Sequence, residues 1–342
     1  MKKIWLHSVK LYIQIGLFFY YKKIKLEGIQ TIPKNQPVLF LGNHQNALLD
    51  PLLIATKSGR ICYFLTRAAV FKKPMVSRIL NSLNMLPVYR VRDGWSTITK
   101  NKSVFSKSVE LLHKNNAITI FPEGSHNLLR RVRPLSKGFT RIVLELRDKY
   151  PDTNINLIPV GFNYDAPKVM GSSVSINFGK PIASSLYSTL NEADATKQIK
   201  HDVFRAMSSL TTQIPEDGYE TILKQLTDLN VDFTNPNLVN KCIKSNFKDC
   251  QSSPKRNSFV KAFLKPVIYL ILCVPVLVWQ KLAKPKVEEL EFLSTFRFAI
   301  CITLVPLWLL ILFGIAVYGF GITLALIGFV ITLLLLLAYN KT

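Results

Sequence analysis

The 342 residues hold 44 Lys and Arg against 21 Asp and Glu, a formal net charge of +23, and 49% of them are hydrophobic. Such a chain could serve nucleic acid, anionic lipid or an anionic substrate. No known nucleic-acid module occurs, and the apolar excess gathers near the C-terminus, so membrane segments and a lipid partner are favoured over nucleic acid. The five cysteines, Cys62, Cys242, Cys250, Cys273 and Cys301, are odd in number and form no C-x-x-C. That argues against a disulfide framework or a zinc site and for a reducing, cytoplasmic setting.

The length suffices for one sizeable α/β domain with additions. Residues 1–21 read as an interfacial or core-packed amphipathic helix. Lys3, His7, Lys10 and Gln14 make a narrow polar stripe, and Trp5, Tyr12, Tyr20 and Tyr21 suit the headgroup level. No small-residue cleavage site follows, which argues against a signal peptide.

Residues 22–190 read as the α/β domain, a layered mixed or largely parallel sheet flanked by helices. Expected strands are Val38–Leu41, Ile61–Leu65, Leu86–Val88, Ile118–Phe121, Asn156–Phe162 and Val174–Phe178. Expected helices are Pro51–Lys57, Met75–Leu83, Thr97–His113 and Phe139–Lys149. In 191–257, Ile199, Val203, Met207, Leu210 and Ile214 recur at helical spacing. The stretch reads as a helical extension with a polar linker at Gln251–Asn257.

Residues 258–342 read as a membrane region. Phe298–Asn340 carries no charge and is long enough for two transmembrane helices with a break near Gly319 and Gly321. Residues 263–279 are at the short limit for a span and read as a third crossing or a re-entrant segment. The latter is favoured by Lys281, Lys284, Lys286 and Arg297, which prefer the cytoplasmic side.

Two stretches carry chemistry. Asn43-His44-Gln45-Asn46-Ala47-Leu48-Leu49-Asp50-Pro51 follows an apolar strand, and strand ends are where α/β domains expose working residues. A carboxylate at Asp50 can hold one imidazole nitrogen of His44 and leave the other to take a proton from an alcohol. Equally, Asp50 before Pro51 is a natural helix cap and His44 an ordinary loop residue. Phe121-Pro122-Glu123-Gly124-Ser125-His126 also follows a strand, with Arg130, Arg131, Arg133 and Lys137 close behind, where a phosphate could find partners or water simply solvate a basic flank.

In four ordered blocks the chain resembles the phospholipid/glycerol acyltransferase family, which includes the glycerol-3-phosphate and lysophosphatidate acyltransferases. The blocks are residues 43–50, the Leu86-Pro87-Val88-Tyr89-Arg90 step, Phe121–Gly124, and Leu157-Ile158-Pro159-Val160. Two details depart from the common pattern. Five residues separate His44 and Asp50 where four are usual, and Ser125-His126 replaces Thr-Arg. Both departures, with Gly161-Phe162-Asn163-Tyr164, resemble the yeast-type glycerol-3-phosphate acyltransferase branch.

The resemblance implies His44 as general base oriented by Asp50, Glu123 and Gly124 as acceptor-binding residues, and Arg90 at the acceptor phosphate. Lys137 is a weaker phosphate candidate, Arg67 weaker still, and Ser125 and His126 at most line the site. It implies acyl transfer, in phospholipid biosynthesis, from acyl-CoA or acyl carrier protein to glycerol-3-phosphate or 1-acylglycerol-3-phosphate. No metal or cofactor is needed. The chain would be a multi-pass membrane protein with its catalytic domain on the cytoplasmic face of a lipid bilayer. A lyso-aminolipid acceptor and a non-catalytic scaffold with a decayed enzyme domain are the alternatives. Residue patterns also argue against a serine hydrolase, since no G-x-S-x-G occurs.

Overall fold

The computed structural model describes residues 2–89, 99, 101–253 and 258–342. Its centre is an eight-stranded mixed sheet in the order β1-β7-β6-β2-β5-β3-β4, with β8 also paired to β6. The strands are β1 Lys23–Glu27, β2 Val38–Gly42, β3 Cys62–Arg67, β4 Met85–Val88, β5 Ala117–Ile120, β6 Asn156–Tyr164, β7 Ser173–Phe178 and β8 Ile182–Ala183. Only the pairings of β6 with β7 and β8 are antiparallel. All six expected strands form. β1 and β8 escape the pattern because one alternates Lys with apolar residues and the other is two residues long.

The helices of the domain are α1 Lys2–Tyr20, α2 Leu49–Lys57, α3 Pro74–Ser82, α4 Asn101–His113 and α5 Gly138–Lys149. The extension supplies α6 Glu192–Ser209, α7 Tyr219–Asp228 and α8 Pro236–Lys244. Successive side chains of a strand point to opposite faces, and β2 shows the result. Leu39 and Leu41 join a core with α4, α5 and α6, while Val38 and Phe40 join a second core with α1, α2 and Phe298. α6 ends at Ser209, before the expected Leu210 and Ile214, because the Leu210 carbonyl turns to the side chains of Asn163 and Asn177. A Cβ on Gly161 would lie 2.3 Å from that carbonyl oxygen, so only glycine lets the chain pass so close to β6.

Contrary to the expectation from cysteine counting, Cys242 and Cys250 are joined by a disulfide. The chain doubles back after α8 through Asn246 and Phe247, both at positive φ, and this brings the two sulfurs together. Cysteine number and spacing could not show that local reversal.

In the C-terminal region, α9 Ser258–Ile271 and α10 Cys273–Leu277 precede α11 Leu293–Lys341. The stretches Phe259–Ile271 and Cys273–Lys286 meet at a 97° bend, and Leu290–Lys341 is long and apolar enough to cross a membrane. α11 departs from helical geometry at Gly321 (φ 78, ψ 165). An unbroken helix would set Phe313 and Phe329 about 24 Å apart. Their ring centroids are 5.5 Å apart, so the segment folds back on itself as a hairpin. Both of its ends meet the domain: Ser294 and Arg297 donate to the Pro167 and Lys168 carbonyls, and the Lys341 ammonium donates to the Phe18 and Tyr21 carbonyls.

Two of the carbonyls that prolines free in these apolar helices are met by aromatic side chains. Pro275 has no N–H for Ile271, and the Trp308 indole supplies it instead at 2.8 Å. Pro306 likewise leaves the Ile302 carbonyl open, and the Tyr12 hydroxyl donates to it from α1. An orphaned acceptor in an apolar setting costs about 1–3 kcal/mol. Trp308→Phe, which removes the donor and keeps an aromatic ring, should therefore lower the thermal midpoint of the detergent-purified protein. Trp5→Phe, whose indole lies on the exposed surface, should shift it far less.

Candidate active site

His44 and Glu123 meet because their strands are neighbours. β2 and β5 run parallel with Leu41 opposite Ile120, so each residue lies three positions beyond the same rung. β6, on the other side of β2, continues to Tyr164 and reaches behind the first motif. Asn43 locks that side through two hydrogen bonds to Phe162, one from its amide nitrogen (3.1 Å) and one to its oxygen (2.7 Å).

Asp50 is the most constrained group. It lies in the first turn of α2 with no solvent exposure. His44 Nδ1 lies 2.8 Å from Oδ2, and the Asn46 N–H donates to the same oxygen at 2.8 Å. The Tyr164 hydroxyl donates to Oδ1. An ionised carboxylate only accepts, so Nδ1 carries its hydrogen and Nε2 keeps the lone pair. Burial, then the Asp50 charge, holds the Tyr164 phenol well above its ordinary pKa, so it remains a donor. Phe121 stacks on the imidazole at 4.0 Å between centroids, fixing the ring plane.

Glu123 is buried, and Arg133 engages its carboxylate through Nε (2.8 Å) and a second guanidinium nitrogen (2.6 Å). Burial raises the Glu123 pKa while Arg133 opposes the rise. Arg133 also donates to Ser125 Oγ at 2.9 Å, and one fifth of its side chain is exposed. Gly124 turns the chain at φ 73, a conformation that favours glycine. The Ser136 N–H donates to the Pro122 carbonyl at 2.7 Å, drawing the basic loop onto the Glu-Gly turn. Lys137 is exposed just before α5.

Arg130, counted above with the phosphate candidates, has a structural task. It is buried over the Phe233 ring, donates to the Tyr164 and Asp165 carbonyls, and has its pKa lowered to about 10 by burial. Arg131 pairs with Glu216 on the surface. Arg67 ends β3, and Arg90 lies outside the described residues. No group of three or more His, Cys, Asp or Glu side chains fit to hold a metal occurs among the described residues.

Residues 23–163 match the Acyltransferase family model. This part of the chain is similar to that family. Over 126 residues the chain is 30% identical to glycerol-3-phosphate O-acyltransferase 1 of Saccharomyces cerevisiae, covering 35% of this chain and 16% of that protein. It is 26% identical over 195 residues to the chloroplastic 1-acyl-sn-glycerol-3-phosphate acyltransferase LPAT1 of Arabidopsis thaliana, covering 54% of this chain and 50% of that one. A 1-acyl-sn-glycerol-3-phosphate acyltransferase of Borreliella burgdorferi is 26% identical over 148 residues, covering 43% of this chain and 54% of its own. The chain thus spans about half, or less, of the length of these relatives. The crystal structure of PlsC, the 1-acyl-sn-glycerophosphate acyltransferase of Thermotoga maritima, aligns with a TM-score of 0.45 at 19% identity, over 61% of this chain and 80% of that one.

The fold gives definite partners to three groups whose roles motif reading left open. Tyr164 shares the sequence pattern of the strand but not, on its face, any chemical role. Arg133 was one basic residue among four. His126 stands 5.7 Å from His44 between ring centroids and meets the Phe292 ring edge-on and Glu289 at 3.7 Å. Burial and then His44 lower its pKa, which favours a neutral imidazole.

Hydrogen bonds to a charged group contribute about 1.5–3 kcal/mol, so Tyr164→Phe should lower kcat about tenfold or more with little change in KM, in a protein whose far-ultraviolet circular dichroism is unchanged. Loss of KM alone would reassign Tyr164 to substrate binding. Glu123→Ala strands the Arg133 guanidinium and should destabilise the domain by about 1–3 kcal/mol, less than a fully buried pair because Arg133 is partly exposed. The double variant Glu123→Ala/Arg133→Ala should recover part of that loss in a denaturant titration.

Proposed function

We propose that this chain is a membrane-attached O-acyltransferase that moves a fatty acyl group from a thioester, acyl-CoA or acyl carrier protein, to the hydroxyl of glycerol-3-phosphate or 1-acylglycerol-3-phosphate. The observation that carries the reading is the His44–Asp50 pair, with Nδ1 held and Nε2 left basic, at the lip of the sheet beside Glu123 and Arg133. The relatives named for glycerol-3-phosphate and 1-acylglycerol-3-phosphate support the acceptor class.

The acceptor hydroxyl attacks the thioester carbonyl. His44 Nε2 takes the hydroxyl proton as the C–O bond forms, and the tetrahedral intermediate collapses by breaking the C–S bond. The thiolate recovers a proton from the imidazolium. General-base help of this kind contributes about 10²–10⁴ in rate. Asp50 steadies the imidazolium and its orientation, and Tyr164 and the Asn46 N–H keep Asp50 from turning away. Arg133, braced by Glu123, is the cation for the acceptor phosphate, with Lys137 on the same loop. The chemistry uses no cofactor.

The apolar C-terminal helix supports membrane association. We read its hairpin as two crossings, the bent 259–286 pair as re-entrant, and the catalytic domain as lying on the cytoplasmic face, beside Lys281, Lys284 and Lys286. The test is a membrane assay with a radiolabelled long-chain acyl thioester and each acceptor offered separately. His44-dependent label in lysophosphatidate from glycerol-3-phosphate assigns the first acylation. Label only in phosphatidate, from lysophosphatidate, assigns the second. Equal label in wild-type and His44→Ala membranes would refute the mechanism.

A further inference from the structure

Away from His44, a cavity of about 900 Å³ lies between α1, the bent α9–α10 pair and the α11 hairpin. It is at the large end of the roughly 300–1,000 Å³ found for small-ligand sites. Most of its lining is apolar, with Val276, Leu309, Phe329 and Leu333 among its residues. Part of its lining is cationic: Lys261, Lys281, Lys284 and Arg297 all line it, and no Asp or Glu does among the described residues. The Arg297 guanidinium is held over the Trp279 ring, 4.8 Å from its centroid, and donates to the Lys168 carbonyl at 2.9 Å. From Arg297 to Leu310 the wall runs about 20 Å along the helix, the length of an extended fatty acyl chain. Apart from α1 and the Val169–Met170 loop, its walls belong to the segments apolar enough to enter a bilayer.

We propose that this cavity is a binding site for an acidic glycerophospholipid taken from the membrane, distinct from the catalytic cleft. An acyl chain fills the apolar part, and the anionic headgroup phosphate meets the cations. Charge complementarity selects this occupant. A zwitterionic lipid would bring a second cation to a lining with no Asp or Glu among the described residues, and a soluble anion would leave the apolar lining unfilled. None of the residues lining the site falls within the family-matching residues 23–163.

The experiment is native mass spectrometry of the full chain in a neutral detergent, titrated with dioleoyl phosphatidylglycerol or dioleoyl phosphatidylcholine. Phosphatidylglycerol is neither acceptor nor product of the proposed reaction, so the outcome does not depend on that reading. The wild type should retain one phosphatidylglycerol about tenfold more tightly than phosphatidylcholine, a factor within reach of a few lysines at a lipid phosphate. Lys281→Gln/Lys284→Gln should reduce that preference to about twofold or less. Val276→Trp, which fills the apolar part, should lose the retained lipid. Equal retention of both lipids by the wild type would overturn the proposal. An unchanged preference in the lysine variant, unchanged retention in Val276→Trp, or displacement of the lipid by inorganic phosphate would do so as well.

Discussion

The site depends on one buried carboxylate. Asp50 has no contact with solvent, and an ionised group so placed is tolerated only when its oxygens are met by donors. Three donors arrive from two parts of the chain: an imidazole and a backbone N–H from the loop after β2, and a phenol from the end of β6. Each donor restricts the carboxylate, and the carboxylate in turn sets the tautomer and tilt of His44. The fifth residue between His44 and Asp50 is absorbed in the Asn46–Leu48 turn, where Ala47 takes a positive φ.

Sheet order then brings the two motifs together. Nearly eighty positions separate His44 from Glu123, yet adjacent parallel strands with matched rungs place both at one edge of the sheet. Glu123 works through Arg133, since its carboxylate is already engaged there. A partly exposed guanidinium held on a buried carboxylate would lose little freedom on meeting an anion, because its orientation is set beforehand.

The membrane region is tied to the same loop. Thr295 Oγ1 accepts the Leu48 N–H at 3.2 Å, and Ser294 and Asn46 share the Pro167 carbonyl. Phe292 and Glu289 face His126 just before the hairpin begins. Direct hydrogen bonds therefore join the hairpin base to the loop that carries His44.

Much of this was legible in the residues themselves. Strand and helix periods placed six of the eight strands, the amphipathic α1 and the uncharged C-terminal stretch, because local burial patterns follow the geometry of each element. The His44–Asp50 pairing was legible as chemistry, since a short loop confines both side chains. Partners that meet only through sheet pairing were not. Tyr164 on Asp50, Arg133 on Glu123 and Ser125, and the diversion of Arg130 to Tyr164 and Phe233 all join segments remote in the chain. The Cys242–Cys250 disulfide and the aromatic donors to the carbonyls freed by Pro275 and Pro306 likewise required the folded chain. Spacing along a sequence reports which face a side chain takes; which distant group it meets is decided by packing, where burial forces each polar atom to find its donor or acceptor.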